Sequence, residues 1–443
     1  MITNEKGHKV ARLICVTGEN NNKYYNMTQT SADTFHAEWG RVDVTKSEQD
    51  YPMRDWVRIY RDKTKESKKP KPYTDVTHLM AEKTSSSNGD TASSSSIFHA
   101  KREKDSRSFV EMIMGFAKAS VEENYTVSAN KVTRQQLDEA QGVLNYISDL
   151  LMKVDSGNSI TVQNVNDKLI ELYQIIPRRM KNVQEYLLHR ITGESGKGKF
   201  ELLSGNLKKT DLKDAKELFS KEQDQLDVMA GQVAAIVDDT APKGKSTDSD
   251  LLHTLGLEIL PCSSAELKMI SSKMGPNKDQ LVRAFRTHNE KSEGKFQKWV
   301  AAKDEKKSDV LWHGSRNENW WSIFQQSLKV RPSNAVLTGS MFGYGVYFAD
   351  KAQKSIGYTS LDNSYWAGGN AKKAILGLYE IHQGKQMVIE RHQNDHCSLD
   401  ESKMKKKGYD SVFAKGGYDL RNNEFIVYNE AQSTIRYFVE IRK

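Results

Sequence analysis

The 443-residue chain is predicted to be a multidomain α+β protein: a small β-rich module, then an α-helical bundle, then a mixed β-sheet domain. Three observations carry that prediction. The chain is too long for one core, since domains run to roughly 100–200 residues. Residues 84–96, Thr-Ser-Ser-Ser-Asn-Gly-Asp-Thr-Ala-Ser-Ser-Ser-Ser, can bury no apolar surface to offset the entropy of ordering them, so they read as a flexible linker. The hydrophobic period differs on the two sides of that linker. The predicted parts are 1–79, a linker at 80–99, a helical region at 100–240 and a β-containing domain at 241–443.

Before the linker, Val10–Val16 and Lys23–Thr28 are short runs separated by Asn20-Asn21-Asn22, the pattern of strands joined by a turn. After it, Phe109, Ile113 and Phe116, and then Leu137, Ala140, Leu144, Ile147 and Leu151, recur at helical spacing and gather on one face. Thr133 and Gln136 have the spacing of a capping box, and Pro177 ends the apolar run Leu169–Ile176. Leu226, Met229, Val233 and Ile236 extend the helical pattern, which the polar segment 241–250 closes. Downstream, Leu255, Leu257 and Ile259 alternate, and glycine-bounded segments at 345–349, 375–381, 424–429 and 435–441 predict strands with interspersed helices.

Two suggestive patterns carry little. Gly193-Glu-Ser-Gly-Lys-Gly198-Lys199-Phe200 has phosphate-loop spacing, but Phe200 stands where a hydroxyl should meet magnesium and residues 182–191 read as helix rather than strand. His392, His396 and Cys397 lack the paired ligands of a metal site, so no metal is expected. The three cysteines, Cys15, Cys262 and Cys397, are too far apart for a disulfide framework, which fits a reducing intracellular setting. No apolar run approaches the ~18 residues of a membrane span. The net charge of +8 fits an anionic partner, with nucleic acid the leading candidate.

The most specific signal is an ordered series in the last third. It comprises Leu311-Trp-His313-Gly-Ser-Arg316, Met341-Phe-Gly-Tyr-Gly-Val-Tyr347-Phe-Ala-Asp350, Lys354-Ser-Ile-Gly-Tyr358 and Asn423-Glu-Phe-Ile-Val-Tyr428. This His, Tyr, Lys-Ser, Tyr, Glu series resembles the NAD-consuming site of the poly(ADP-ribose) polymerases. The resemblance implies an ADP-ribosyltransferase that breaks the bond between ribose and nicotinamide without a metal. His313, Tyr347 and Glu424 would form the catalytic triad. Gly314 and Ser355 would bind the nicotinamide amide, and Tyr347 and Tyr358 would stack on its cationic ring. His313 would bond a ribose hydroxyl, Glu424 would accept from the nicotinamide ribose 2′-hydroxyl, and Ser315, Lys329 and Lys354 complete the implied NAD contacts. A core role for each tyrosine and a solvated role for Lys354 are the competing readings.

At the other end, Glu38-Trp39-Gly40-Arg41-Val42 with its flanking aromatic and basic residues resembles the WGR domain of the same family. The resemblance implies binding to DNA strand breaks, with Trp39 offering a flat apolar face and Arg41 a planar fork for phosphate. Arg54, Arg58, Arg61, Lys63, Lys65, Lys68, Lys69 and Lys71 would add phosphate contacts, Arg58 and Lys63 foremost. The helical region is similar to the family's autoinhibitory domain, with Asp224 and Asp227 both open as the adenine contact. Further implications are modification of protein acceptors, the chain itself included, no membrane partner, and a nuclear location in a eukaryote. Lys329 in place of arginine, Ser340 in place of an aromatic, and a short 384–417 segment depart from the family pattern. They leave chain elongation less secure than NAD cleavage. Mono(ADP-ribosyl) transfer and a non-catalytic DNA-end scaffold remain the alternatives.

Overall fold

The computed structural model describes residues 3, 4, 7–44, 46–65, 72–80, 104–192, 199–234, 251–330 and 341–443. The serine-rich stretch 84–96, the glycine run 193–198, Lys68, Lys69, Lys71, Ile236, the polar segment 241–250 and Ser340 lie outside them. Two compact units emerge, one drawn from 1–89 and 120–241, the other from 90–119 and 242–443. The β-rich module and most of the helical region thus share a unit.

In the first unit, β1 (Val10–Thr17), β2 (Asn21–Gln29), β3 (Thr34–Arg41), β4 (Ser47–Pro52) and β5 (Thr74–Asp75) form a sheet in the order β4-β3-β2-β1-β5, with α1 (Trp56–Thr64) after β4. Asn20, at φ 62°, makes the turn between β1 and β2. Alternation puts Tyr25, Met27, Phe35 and Ala37 on the face that α1 covers with Trp56 and Ile59. The solvent side of α1 keeps Arg58 exposed and paired with Asp55.

Next come α2 (Lys104–Asn124), α3 (Arg134–Asp155), α4 (Val162–Ile175), the hairpin β6 (His189–Thr192) and β7 (Lys199–Leu202), and α5 (Leu212–Ala234). The capping box forms, Thr133 Oγ1 accepting from Gln136 N at 3.1 Å and Gln136 Oε1 from Thr133 N at 3.0 Å. Ala140, Leu144, Ile147 and Leu151 are buried as their spacing predicts. Residues 182–191 are not the expected helix but a 3₁₀ turn at Val183–Tyr186 followed by β6. Side chains draw the backbone away from helical pairing there: Asn182 Oδ1 accepts from Gln184 N and Asn166 Oδ1 from Leu188 N. The glycine run is therefore flanked by two antiparallel strands rather than by the strand and helix of a phosphate loop.

One segment knits this unit together. Asn22 Nδ2 donates to the Arg178 carbonyl at 3.2 Å, and Asn20 Oδ1 accepts from Val183 N at 3.0 Å. Arg41 donates to the Asn20 carbonyl at 2.6 Å and to the Lys181 carbonyl at 3.0 Å. The Arg178 side chain lies in the helical core, 3.3 Å from Glu222, the two being 2% and 1% exposed. Its guanidinium sits 4.6 Å above the Tyr125 ring. Burial raises the Glu222 carboxyl above its usual range despite Arg178. Burial also works against the Arg178 charge, but Glu222 and the neighbouring tyrosines outweigh it and hold the cation.

The second unit is built on two sheets. Its elements are α6 (Leu251–Thr254), β8 (Leu257–Pro261), α7 (Ser264–Met274), β9 (Leu281–Asn289), α8 (Glu290–Ala301), β10 (Ser308–Gly314), α9 (Trp320–Gln326), β11 (Val346–Phe348) and α10 (Ala352–Ile356). The chain continues through β12 (Lys373–His382), β13 (Gln386–Ile389), α11 (Glu401–Lys407), β14 (Ser411–Ala414), β15 (Glu424–Val427) and β16 (Ser433–Arg442). One sheet has the order β10-β12-β16-β9-β8 and the other β11-β15-β14-β13. Their cores centre on Trp312, Leu376, Leu378 and Val439, and on Phe342, Val412, Ile426 and Tyr428. The first half of α2 belongs to this unit, Phe109 packing 4.6 Å from Phe285 and 5.5 Å from Phe438.

The buried Arg178–Glu222 pair generates a test. Glu222→Ala strands a buried cation and is expected to lower stability by about 3–5 kcal/mol. Arg178→Met with Glu222→Leu removes both charges and should restore the parent's stability or exceed it, as read by urea unfolding.

Candidate active site

The two sheets of the second unit meet through a backbone bridge. Trp312 N donates to the Ala349 carbonyl at 2.8 Å and Ala349 N returns a bond to the Trp312 carbonyl at 2.9 Å. Just beyond Trp312 on β10 stand His313 and Gly314, and just before Ala349 on β11 stands Tyr347. The strand ends therefore bring residues 34 apart in sequence into contact, His313 Nδ1 lying 3.0 Å from the Tyr347 carbonyl. A carbonyl only accepts, so the proton sits on Nδ1 and Nε2 presents a lone pair. The His313 ring packs among Phe348, Tyr379 and Trp320 at 5.7, 6.0 and 6.2 Å. Burial lowers its pKa to about 4, against a small opposing effect of the Tyr347 carbonyl, so the imidazole is neutral near pH 7.

Gly314 is glycine for a reason visible in the packing: a Cβ there would fall 1.9 Å from the Ser355 carbonyl oxygen. The close approach that glycine permits is to the backbone of α10, which seats Ser355, 4% exposed, against the end of β10. Lys354, the preceding residue, forms a buried ion pair with Glu424 at the start of β15. Glu424 is placed by β14 on one side, where it pairs with Ala414, while Phe425 and Ile426 pair with β11 on the other.

Tyr347 is fixed through its hydroxyl, which accepts from Phe342 N at 3.1 Å and donates to the Gly343 carbonyl at 2.9 Å. Burial and then Tyr428 raise its pKa well above the usual value, so it stays a neutral phenol. Tyr358 lies just beyond a helix rather than on it. α10 ends at Ile356, and Tyr358 follows in a turn closed by its amide donating to the Ser355 carbonyl at 3.1 Å. Its ring is 41% exposed, and burial together with the Glu424 carboxylate pushes its pKa up to about 12.

His313, Gly314, Tyr347, Lys354, Ser355, Tyr358 and Glu424 are thus gathered by the ends of β10, β11, α10 and β15. Two of the other implied NAD contacts have local partners: Ser315 Oγ accepts from Asn319, and the exposed Lys329 pairs with Glu430 at 3.3 Å. Sequence reasoning missed the Lys354–Glu424 partnership and Trp366, whose indole stacks on Tyr358 at 4.5 Å and 14°. A Tyr365-Trp366 pair in a run of glycine and polar residues was the one available signal for the latter.

His392 Nε2 is 3.3 Å from Cys397 Sγ and 2.9 Å from the Met341 carbonyl, which uses the imidazole to hold the loop beside Phe342. Among the described residues no group of three or more His, Cys, Asp or Glu could hold a metal ion, and no helix is long and apolar enough to cross a membrane.

In the first unit, Trp39 stacks on Tyr25 at 5.4 Å, and Lys63 lies 4.3 Å above that same tyrosine. Arg41 is engaged by Asn20 and Lys181, and Arg58 by Asp55. Asp224 and Asp227 are both on α5, Asp227 accepting from Gln223 at 2.9 Å.

Residues 264–443 match the poly(ADP-ribose) polymerase catalytic domain. The chain is 36% identical over 156 residues to a putative poly [ADP-ribose] polymerase-like protein, 100L, of Invertebrate iridescent virus 6, covering 34% of this chain and 81% of that protein. The chain belongs to the poly(ADP-ribose) polymerase family. Across 96% of its length it is 25% identical to poly [ADP-ribose] polymerase 2 of Arabidopsis thaliana, 71% of which is covered. With the human poly [ADP-ribose] polymerase 2 it shares 31% identity over 158 residues, 30% of this chain and 26% of the human one. This polymerase-family chain is an NAD-dependent ADP-ribosyltransferase, and the cluster around His313 and Glu424 lies in the matched catalytic domain.

Two outcomes follow from the geometry. Gly314→Ala forces α10 away from β10, and kcat/KM for NAD should fall by about a hundredfold or more. The His313 pKa in the folded state lies below its ordinary 6.5, so between pH 6.5 and about 4 only the unfolded chain takes up that proton. Stability should fall as pH is lowered through this window, by about 3 kcal/mol in full. In urea unfolding at stepped pH, His313→Gln should lack that share of the loss.

Proposed function

We propose that the chain binds DNA strand breaks through its N-terminal module. In response it transfers ADP-ribose from NAD to protein acceptors, itself among them, extending the product into poly(ADP-ribose) and releasing nicotinamide. The observation that carries the reading is the convergence of His313, Tyr347, Ser355, Tyr358 and the Lys354-held Glu424 at one junction of two sheets. Gly314 backbone and the Ser355 hydroxyl bind the carboxamide of NAD, and Tyr347 and Tyr358 bracket its ring. His313 Nε2 accepts from a ribose hydroxyl.

Glu424 accepts from the nicotinamide ribose 2′-hydroxyl, stabilising positive charge as the glycosidic bond breaks, and draws the proton from the incoming acceptor hydroxyl. Lys354 holds that carboxylate in place through the buried ion pair. The neutral His313 adds no positive charge beside a ribose that is itself becoming cationic.

A DNA partner is supported by the Trp39–Tyr25–Lys63 column and by the exposed Arg58 and Arg61 on α1. In this reading the helical region holds the enzyme in check until a break engages the module, a population shift towards an open state. The role is DNA damage signalling or repair, in the nucleus of a eukaryotic cell. A mono(ADP-ribosyl) product is the second reading, favoured by the short 384–417 segment, which carries β13, α11 and β14.

The decisive experiment incubates the full chain with labelled NAD, with and without nicked DNA, and resolves the products on a gel. A DNA-stimulated ladder of automodified species is expected; a single discrete band supports mono transfer, and no labelling sinks the enzymatic reading. Glu424→Gln should abolish elongation more severely than NAD hydrolysis. Removing residues 120–240, which spares the part of α2 that packs in the second unit, should make activity independent of DNA, and retained dependence would overturn the proposed restraint.

A further inference from the structure

We propose that Trp366 is a positioning residue for NAD: its indole backs the Tyr358 ring, leaving that ring's opposite face for the nicotinamide. This rests on the reading of Tyr358 as the stacking residue. The rings lie 4.5 Å apart at 14°, an almost parallel stack. Gly357 makes it possible, since a Cβ at that position would fall 2.4 Å from the Trp366 ring.

The backbone holds the indole in place. Trp366 N and Ala367 N both donate to the Gly357 carbonyl, at 2.9 and 3.0 Å, so residues 358–367 close on the end of α10. Arg316 donates to the Ala367 carbonyl at 3.1 Å, which ties this loop to the strand end that carries His313 and Gly314. The Ser364 hydroxyl accepts from Gly369 N at 2.8 Å and braces the far side.

The pair is not built as core. Trp366 is 50% and Tyr358 41% exposed, whereas Trp320 and Phe438, an aromatic pair in the interior 5.5 Å apart, are both 0% exposed. A rigid loop that spends a tryptophan on covering one face of a half-exposed tyrosine does two things for a ligand. It stops that ring from turning, and it removes water from the covered face, so a planar cation has one defined surface to meet. The gain is specific to the nicotinamide end of the substrate.

The test uses the full chain with nicked DNA, comparing the parent with Trp366→Ala and Trp366→Phe. Measured are kcat and KM for NAD and inhibition by free nicotinamide and by ADP-ribose, which lacks the ring. For Trp366→Ala, KM for NAD and the nicotinamide inhibition constant should each rise about three- to tenfold, the worth of one aromatic stack. The kcat should stay within about twofold, the ADP-ribose constant should not move, and Trp366→Phe should recover most of the loss. Parent-like constants in Trp366→Ala overturn the proposal, as does equal weakening of nicotinamide and ADP-ribose, which would mean collapse of the loop. If nicotinamide fails to inhibit a parent that turns over NAD, the reading of Tyr358 itself falls and this inference falls with it.

Discussion

The second unit depends on two strand ends meeting at backbone distance. Trp312, in one sheet, and Ala349, the residue that follows a strand of the other, exchange both of their main-chain hydrogen bonds. Backbone bonds tolerate only a few tenths of an ångström, so this bridge fixes how the sheets are set against each other. It is reinforced on either side. The Trp312 ring is 1% exposed in the core of its own sheet, and Gly314, two residues on, lets the Ser355 carbonyl come where a side chain would stand. His313, Tyr347, Lys354, Ser355 and Tyr358 hang within a few residues of these contacts, and Glu424 is tied to them through Lys354, which makes the site a property of the junction.

How far the sequence foretold this differs from one contact to the next. Local features were legible because neighbours in sequence determine them. The Thr133–Gln136 capping box, the stripe from Leu137 to Leu151, the halt before Pro177 and the strands at 346–348 and 373–382 all follow from propensity and period. Where a distant side chain captured the backbone, local reasoning failed. Asn166 takes the Leu188 amide and turns an expected helix into a strand. The order of His313, Tyr347, Ser355, Tyr358 and Glu424 could be read along the chain, but the seating of Lys354 on Glu424 could not. Seventy residues separate the two, and only β15 lying beside β11 and α10 brings them together.

Two buried ion pairs show how one kind of interaction serves different ends. Arg178 and Glu222 lie within a bundle of Tyr125, Tyr173 and leucines, where desolvation costs about as much as the pairing returns. Such a pair adds little net stability over a well-packed apolar alternative. Lys354 and Glu424, 7% and 10% exposed, also give up most of their hydration, within the candidate site. On the proposed reading that cost is useful, because a carboxylate held by one lysine needs little reorganisation when positive charge develops beside it.

Arg41 joins these themes. Its planar fork is the group best suited to grip a phosphate, yet here it spans the Asn20 carbonyl and side chain and the Lys181 carbonyl. Three residues before Lys181, Arg178 reaches Glu222 and Tyr125 in the helical core. On the proposed reading, a DNA end that drew Arg41 away from Lys181 would weaken the attachment of the segment that carries Arg178. By linkage, any change that loosened that segment would free Arg41 for DNA by the same factor. The module and the bundle need no separate wire between them, because one short stretch of chain, 178–184, supplies carbonyls to the first and a buried charge to the second.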